Sequence, residues 1–276
     1  MMKPGITLSN TLAAVAGFFL ASSMYGFDPL AFAGVAAGIA LVIASACVAN
    51  NMVDRDIDLR MKRTRGREVA AGNISMQNAF IYAVVLGISG FGSLALWTNW
   101  WTFALGVLAY VWYVVIYGIA KRKTPASTLI GAVCGALPPM AGYAAVTNNI
   151  DTVAFILFMM LIIWQMPHFY AIAMMRRDDY KKAGLPVWSV KYGMASTRKQ
   201  IMRWVLAFLV VTPALAIVGA TCDPYLLVMV GAGLYWAVQA MAYTDEPDEM
   251  WARRLFKSSI WVLLIMLFAI GIGGYI

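Results

Sequence analysis

The chain has 276 residues, of which 62% are hydrophobic and only 12% are charged, and its mean hydropathy is +0.74. A soluble domain typically carries about 25% charged residues, so this composition excludes an ordinary soluble globular protein. The net charge of +8 does not indicate a nucleic-acid partner, because the basic residues cluster at the ends of apolar segments.

Apolar segments close to 20 residues long recur along the chain, and each is long enough to cross a hydrocarbon layer of ~30 Å. We expect the first of them to be a true span rather than a cleaved signal peptide. The sequence therefore predicts an all-α, polytopic membrane protein, with one domain over residues 1–276 and nine transmembrane helices around a central cavity open to the cytoplasmic side. The predicted spans are residues 6–25, 30–50, 78–97, 101–120, 127–146, 153–175, 202–222, 225–243 and 255–275.

The fifth predicted span contains several helix-breaking residues. Pro138 and Pro139 are adjacent, and Gly131, Gly135 and Gly142 flank them. Such residues are tolerated in a membrane only where protein or water satisfies the freed backbone groups. We therefore expect a kinked helix that lines the cavity.

The loops between the spans divide sharply by charge. All 21 Lys and Arg residues fall on one side of the nine-span arrangement, and the opposite loops hold only Asp28, Asp151 and Asp223. Because cytoplasmic loops carry the Lys and Arg excess, we predict a cytoplasmic N-terminus and an external C-terminus. In a bacterial cell this corresponds to a multi-pass protein of the inner membrane.

The stretch NNMVDRDIDLRMKRTRGR, residues 50–67, places charges of both signs after the second span. Asn50, Asp54 and Asp58 are spaced at i, i+4 and i+8, so each step turns only about 40° and the three share one helical face. Asp56 falls roughly opposite and is expected to be solvated or paired with a neighbouring arginine. Oxygen ligands on one face suit Mg²⁺, which is usually held by one or two carboxylates together with substrate phosphates.

Basic residues follow this acidic face directly, and Lys62, Arg63 and Arg67 could neutralise phosphate oxygens. The pattern thus indicates a diphosphate site. The alternative is a lattice of salt bridges that only orients the protein in the membrane. Orientation gains little from Asp or Glu, however, so the diphosphate interpretation is favoured.

A second polar cluster follows the sixth span, also on the predicted cytoplasmic side. It places Asp178 and Asp179 beside Tyr180 and Lys182, while Lys121 and Arg122 end the fourth span. Helical bundles commonly build metal sites from facing helices, so two such clusters suggest a shared cavity between them.

These residues resemble a known family, the intramembrane prenyltransferases of the UbiA superfamily. The N-x-x-x-D-x-x-x-D spacing marks the superfamily, and WQMPHFYAIA (residues 164–173) with DYKKAGLPV (residues 179–187) resembles its heme-modifying branch. KPG, KRKT, GALPPMAGY and WARRLFKSS extend the resemblance from residue 3 to residue 259.

The resemblance implies transfer of the farnesyl group of farnesyl diphosphate to a vinyl group of heme b, with water addition and diphosphate release, giving heme O. It also implies that Asn50, Asp54, Asp58 and Asp179 hold Mg²⁺. The second cluster departs from the superfamily's DxxxD motif, since Ala183 stands where the second acid would be. This departure leaves open whether that cluster binds its own metal.

His168 is the only histidine in the chain and lies in the sixth predicted span. It is a candidate for heme contact, because polar residues inside a membrane are often functional and imidazole is a common heme ligand. The alternative is a hydrogen-bonded packing residue.

Two other functions remain to be weighed against heme farnesylation. A prenyltransferase for an aromatic quinone precursor would share the acidic motif, and a transporter would also use broken helices. A transporter should place its charged site near the midplane, whereas these acids lie at one membrane face. The sequence also leaves open a complex with a downstream heme A synthase or a terminal oxidase.

Overall fold

A computed structural model describes residues 1–243 and 245–275, and within them the regular structure is entirely helical. Nine helices in this part of the chain are long and apolar enough to span a membrane, which confirms the predicted fold class and span count. Ile276, the predicted external terminus, lies outside the described residues. The spanning helices are α1 (Pro4–Tyr25), α2 (Pro29–Val53), α4 (Met76–Trp97), α5 (Trp100–Lys123), α6 (Ser127–Thr147), α7 (Thr152–Met175), α10 (Gly193–Ile217), α11 (Asp223–Met241) and α12 (Asp248–Ile272); the short helices between them are α3 (Arg55–Arg60), α8 (Arg177–Lys182) and α9 (Trp188–Lys191).

Two spanning helices begin earlier than their apolar segments predict. Helix α10 starts at Gly193 rather than at residue 202, and α12 starts at Asp248 rather than at residue 255. The first two turns of each helix carry charged side chains, which a hydropathy window excludes although they continue the helix into the interface. The apolar window therefore marks the membrane-embedded part of each helix rather than its ends.

The nine spanning helices form a closed ring. Each packs against the next spanning helix in the chain, and α12 packs against α1. Two further pairs, α1 with α6 and α7 with α12, also pack extensively. The predicted central cavity stays a prediction, since these contacts describe helix packing rather than an open volume.

The three acidic residues of the opposite loops lie at helix N-termini. Asp28 accepts hydrogen bonds from the backbone N–H groups of Leu30 and Ala31, and Asp151 accepts one from Ala154. Asp223 is in the first turn of α11. A carboxylate stabilises a helix N-terminus by satisfying free N–H groups and by opposing the helix dipole, which explains the acids at these positions.

Small residues allow the backbones of α1 and α6 to approach each other closely. A Cβ atom on Gly142 would lie 1.8 Å from Ala14 O, and one on Gly17 would lie 2.1 Å from Pro139 O. Helix α6 continues through both prolines, which are buried. The glycines of this span therefore allow close helix packing, as small residues commonly do in membranes, in addition to any role in lining a cavity.

We expect Gly142→Ala to destabilise the folded protein, because α1 and α6 would have to move apart to admit the methyl group. Overpacking of this kind costs typically about 1–3 kcal/mol. Gly92→Ala is the matched control, since a Cβ there meets nothing within 4 Å. The midpoint of thermal unfolding in detergent should fall for Gly142→Ala only, and an equal midpoint for both variants would contradict the close packing.

Candidate active site

The predicted acidic face is preserved across a helix break. Helix α2 ends at Val53 and α3 begins at Arg55, with Asp54 between them. The backbone repeat nevertheless continues, because Asp54 N donates to Asn50 O at 2.9 Å and Asp58 N donates to Asp54 O at 2.8 Å. Asn50, Asp54 and Asp58 are all buried, with exposed fractions of 3%, 7% and 3%. The three side chains therefore form one buried polar row, referred to below as the acidic ladder.

Asp54 is held by a neighbour on the ladder and by a cation from α5. Asn50 Nδ2 donates to Asp54 Oδ2 at 2.8 Å, and the buried Lys121 ammonium donates to both Asp54 Oδ2 and Asn50 Oδ1. The other carboxylate oxygen, Asp54 Oδ1, is buried without a hydrogen-bond partner in the described residues, and the nearest guanidinium nitrogen, from Arg122, is 3.8 Å away. Buried polar atoms nearly always have a hydrogen-bond partner, so an oxygen without one is a candidate to contact a bound ion or ligand.

Asp58 forms an ion pair with Arg67, which lies nine residues later in the chain. Both of its carboxylate oxygens accept hydrogen bonds from Arg67 Nη1 at 2.8 Å. The turn that returns Arg67 is supported by Thr64 Oγ1, which donates to Asp58 O at 3.1 Å. A buried carboxylate with no partner would be strongly disfavoured, and this ion pair compensates for its burial.

Asp56 lies apart from the ladder, as predicted. Its exposed carboxylate accepts two hydrogen bonds from Arg122, at 2.8 and 2.9 Å. Hydrogen bonding to Arg122 is the main reason why the pKa of Asp56 falls to about 2. Asp56 therefore stays ionised at physiological pH and holds Arg122 beside Asp54.

The second polar cluster meets the first through apolar packing. Tyr180, on α8, packs with Ile57 and Met61 from the first cluster and with Leu185 from its own. Burial raises the pKa of the Tyr180 phenol, although the charges of Arg63 and Arg67 oppose this shift. Tyr180 is thus a neutral hydroxyl close to these two arginines.

The remaining predicted residues of the two clusters are more accessible. Lys62, Arg63 and Lys182 are exposed, and Asp179 is half-buried on α8. No group of three or more His, Cys, Asp and Glu side chains in the described residues lies close enough to hold a metal ion. Asp179 as a metal ligand therefore stays a prediction.

The acidic ladder nevertheless fits Mg²⁺ in the presence of a diphosphate. It supplies two carboxylates and an amide oxygen, and Asp54 Oδ1 has no hydrogen-bond partner in the described residues. Mg²⁺ is commonly held by one or two carboxylates with substrate phosphates rather than by an all-protein cage.

Three further residues, Lys3, Tyr113 and Tyr117, lie beside Lys121 and the acidic ladder, although sequence reasoning did not select them. Residues 112–117 of α5 are π-helical, a feature frequent at functional sites, and the rings of Tyr113 and Tyr117 stack there at 5.8 Å. The Lys121 ammonium lies 5.2 Å from the Tyr117 ring centroid, and Lys3 Nζ donates to Tyr113 Oη at 3.3 Å. The i, i+4 spacing of Tyr113, Tyr117 and Lys121 places the three side chains on one helical face, and this sequence pattern could have identified the two tyrosines.

Lys3 adds a further positive charge at this end of the bundle. Burial is the main reason why its pKa falls to about 8, and it interacts electrostatically with Asp54, Arg67 and Lys121. Lys3 therefore remains mostly protonated at neutral pH. Its neighbour Met1 is also fixed, because Asn51 Nδ2 donates to Met1 O at 2.9 Å.

His168 lies on α7 and contacts α12, and neither helix carries the acidic ladder. Its ring is flanked by Trp164 and Phe256, each with a centroid distance of 4.9 Å, and its Nδ1 is 2.7 Å from Ser259 Oγ. Ser259 Oγ donates its single proton to Phe256 O at 2.6 Å, so it accepts a hydrogen bond from Nδ1–H. This tautomer leaves the lone pair on Nε2, the arrangement found when the other imidazole nitrogen ligates a metal.

Comparison with known proteins places this geometry in a family. Residues 10–271 match the UbiA prenyltransferase family. The chain is 44% identical to protoheme IX farnesyltransferase of Pseudomonas syringae pv. syringae (strain B728a), over 95% of this chain and 89% of that protein.

Solved structures share the fold at lower identity. The apo structure of a UbiA homolog from Aeropyrum pernix K1 superposes with a TM-score of 0.76 at 18% identity, covering 99% of this chain and 97% of that one. A UbiA homolog from Archaeoglobus fulgidus, bound to GPP and Mg²⁺, gives a TM-score of 0.66 at 14% identity, with 96% and 97% covered. The family match over nearly the whole sequence, together with the similar fold, shows that this chain is a member of the UbiA prenyltransferase family.

Proposed function

We propose that this protein transfers the farnesyl group of farnesyl diphosphate to a vinyl group of heme b, adds water and releases diphosphate, giving heme O. The observation that carries the proposal is the 44% identity, over 95% of the chain, with a relative named protoheme IX farnesyltransferase. The buried acidic ladder and its cations supply a site of the right chemistry for an allylic diphosphate.

In the proposed substrate complex, Asn50, Asp54 and Asp58 would hold Mg²⁺ together with the diphosphate. When bound, the ion supplies a Lewis acid that neutralises charge on the phosphate oxygens. The GPP- and Mg²⁺-bound relative from Archaeoglobus fulgidus supports the choice of ion and of ligand class. Asp179 is proposed as a ligand from the second cluster.

The basic residues around the ladder are proposed to bind the diphosphate as it leaves. Lys121 and Arg67, which now neutralise Asp54 and Asp58, would exchange part of that contact for phosphate oxygens. Lys62, Arg63, Arg122 and Lys182 would extend the positive surface, and the Tyr180 hydroxyl would donate a hydrogen bond. Positive charge aimed at the leaving group is needed because ionisation of an allylic diphosphate leaves negative charge there, and such preorganised electrostatics is usually the largest catalytic term.

The acceptor requires no nucleophilic side chain. The π electrons of the heme vinyl group attack the allylic carbon as its bond to diphosphate breaks, and water captures the resulting cation on the porphyrin side with loss of a proton. His168 is proposed to contact the heme through Nε2. Because both substrates are hydrophobic, we propose that they enter laterally from the bilayer.

We propose an inner-membrane location with a cytoplasmic N-terminus. The site would then meet water-soluble Mg²⁺ and release diphosphate on the cytoplasmic side. A tag before Lys3 should be accessible only from the cytoplasm and a tag after the last residue only from outside, as tested by proteolysis of spheroplasts and inverted vesicles. Both tags on one side would contradict the proposed orientation.

The competing acceptor in this family is an aromatic quinone precursor. Purified protein supplied with Mg²⁺ and farnesyl diphosphate should consume heme b and leave an aromatic acid acceptor unchanged. Prenylation of the aromatic acid alone would overturn the proposal. A heme A synthase or terminal oxidase is proposed as the partner that receives the product.

A further inference from the structure

A second basic site lies away from the acidic ladder, at the predicted cytoplasmic ends of α11 and α12. It is a pocket of about 400 Å³ whose lining includes Tyr235 from α11 and Arg253, Arg254, Lys257 and Trp261 from α12. The four α12 residues are spaced three or four apart around Lys257, so they share one helical face.

Arg254 is incompletely satisfied in this pocket. Its Nη1 donates to Glu246 Oε1, and its guanidinium lies 3.6 Å from the ring centroid of Tyr243. Its Nε and Nη2 atoms are buried and make no hydrogen bond to any described residue. Two free, buried donors on one guanidinium fork match the oxygens of a phosphate or carboxylate.

The pocket also carries excess positive charge. Arg254 is offset by Glu246, and Arg253 by Glu249 at 2.9 Å, whereas Lys257 makes no ion pair within the described part of the chain. Below the cations, Trp261 is 63% exposed and Tyr235 is 45% exposed. Exposed Trp and Tyr rings beside a basic pocket are typical of the membrane interface, where the rings contact acyl chains and the cations contact headgroups.

We infer that this pocket binds the headgroup of an anionic phospholipid. The phosphate accepts hydrogen bonds from Arg254 and is attracted electrostatically by Arg253 and Lys257. The acyl chains lie against Trp261 and Tyr235. Heme b, which also combines carboxylates with an apolar body, would fit the same chemistry. The lipid is favoured because these rings face outward, whereas Phe256 and Ser259 of the same helix contact His168.

The test is native mass spectrometry of the purified protein titrated with phosphatidylglycerol, and separately with phosphatidylcholine. The wild-type protein should retain phosphatidylglycerol preferentially. Lys257→Gln, which disrupts no described ion pair, should weaken retention about fivefold, because each basic residue near an anionic headgroup contributes about 1 kcal/mol. The double variant Arg254→Gln/Lys257→Gln should weaken retention more than tenfold. Lys199→Gln, an exposed cation elsewhere on the same face, is the matched control and should leave retention unchanged.

Equal retention of phosphatidylglycerol by Lys257→Gln and Lys199→Gln would overturn the inference, as would equal retention of the two lipids by the wild-type protein. A third titration uses heme b. If heme b binds and is lost with Lys257→Gln while phosphatidylglycerol binding is unaffected, the pocket is a heme site and the lipid assignment is wrong. None of these measurements depends on farnesyl transfer.

Discussion

Asp54→Asn should reduce farnesyl transfer by about 10²–10³-fold, the range expected when one preorganised electrostatic contact to the reacting group is lost. Asp54 carries the oxygen that lacks a partner, and its other oxygen contacts both Lys121 and Asn50. The amide keeps the shape of the side chain and removes only its charge. The rate of product formation is measured at saturating Mg²⁺ and farnesyl diphosphate.

Asp58→Asn should behave in the same way, whereas Asp56→Ala should retain activity within about fivefold. Asp56 is exposed and its contact with Arg122 is a surface ion pair, which typically contributes about 0–1 kcal/mol. Equal losses in all three variants would contradict the helical-face assignment. Alanine at position 54 or 58 is less informative, because it would remove the hydrogen-bond acceptor of Lys121 or Arg67 as well as the charge and would destabilise the fold further.

His168→Ala should raise the KM for heme about tenfold while leaving the affinity for farnesyl diphosphate unchanged. His168 lies seven residues before the end of α7, so it is roughly 10 Å along the helix from that end, whereas the acidic ladder occupies a helix terminus. The loss should be partial, because heme also binds through its large apolar faces. Asp54→Asn should show the reverse pattern, with weakened Mg²⁺-dependent binding of farnesyl diphosphate.

Ser259→Ala is the matched control for this histidine. It removes the acceptor for Nδ1–H but keeps the imidazole between Trp164 and Phe256. We expect a smaller rise in the heme KM than for His168→Ala. If both variants have normal kinetics and an unchanged absorption spectrum with bound heme, His168 is a packing residue.

The membrane fold was predictable because hydropathy and loop charge are local properties of the sequence. The acidic ladder was predictable for the same reason: the i, i+4 backbone repeat at Asn50, Asp54 and Asp58 continues through the break at Asp54. Asp56 was expected to be solvated or paired with a neighbouring arginine; its carboxylate is exposed, and its partner Arg122 comes from another helix.

What the sequence could not predict depends on tertiary packing. The pairing of Arg67 with Asp58 requires the turn after α3, and the contact between Lys3 and Tyr113 joins residues 110 positions apart. The cavity-lining role of the α6 glycines and prolines stays a prediction, and sequence alone does not reveal that the backbone of α1 lies against Gly142 and Pro139. Hydrophobic windows also excluded the first two turns of α10 and α12, which contain charged side chains.

The most direct test of the central claim is mass spectrometry of heme extracted from membranes of a host that lacks its own heme farnesyltransferase. Membranes containing this protein should yield a heme heavier than heme b by one farnesyl group and one hydroxyl group. Membranes with the Asp54→Asn variant at equal abundance should yield mainly heme b. Heme b alone in the presence of the folded wild-type protein, or a farnesylated aromatic acid in place of the modified heme, would contradict the account.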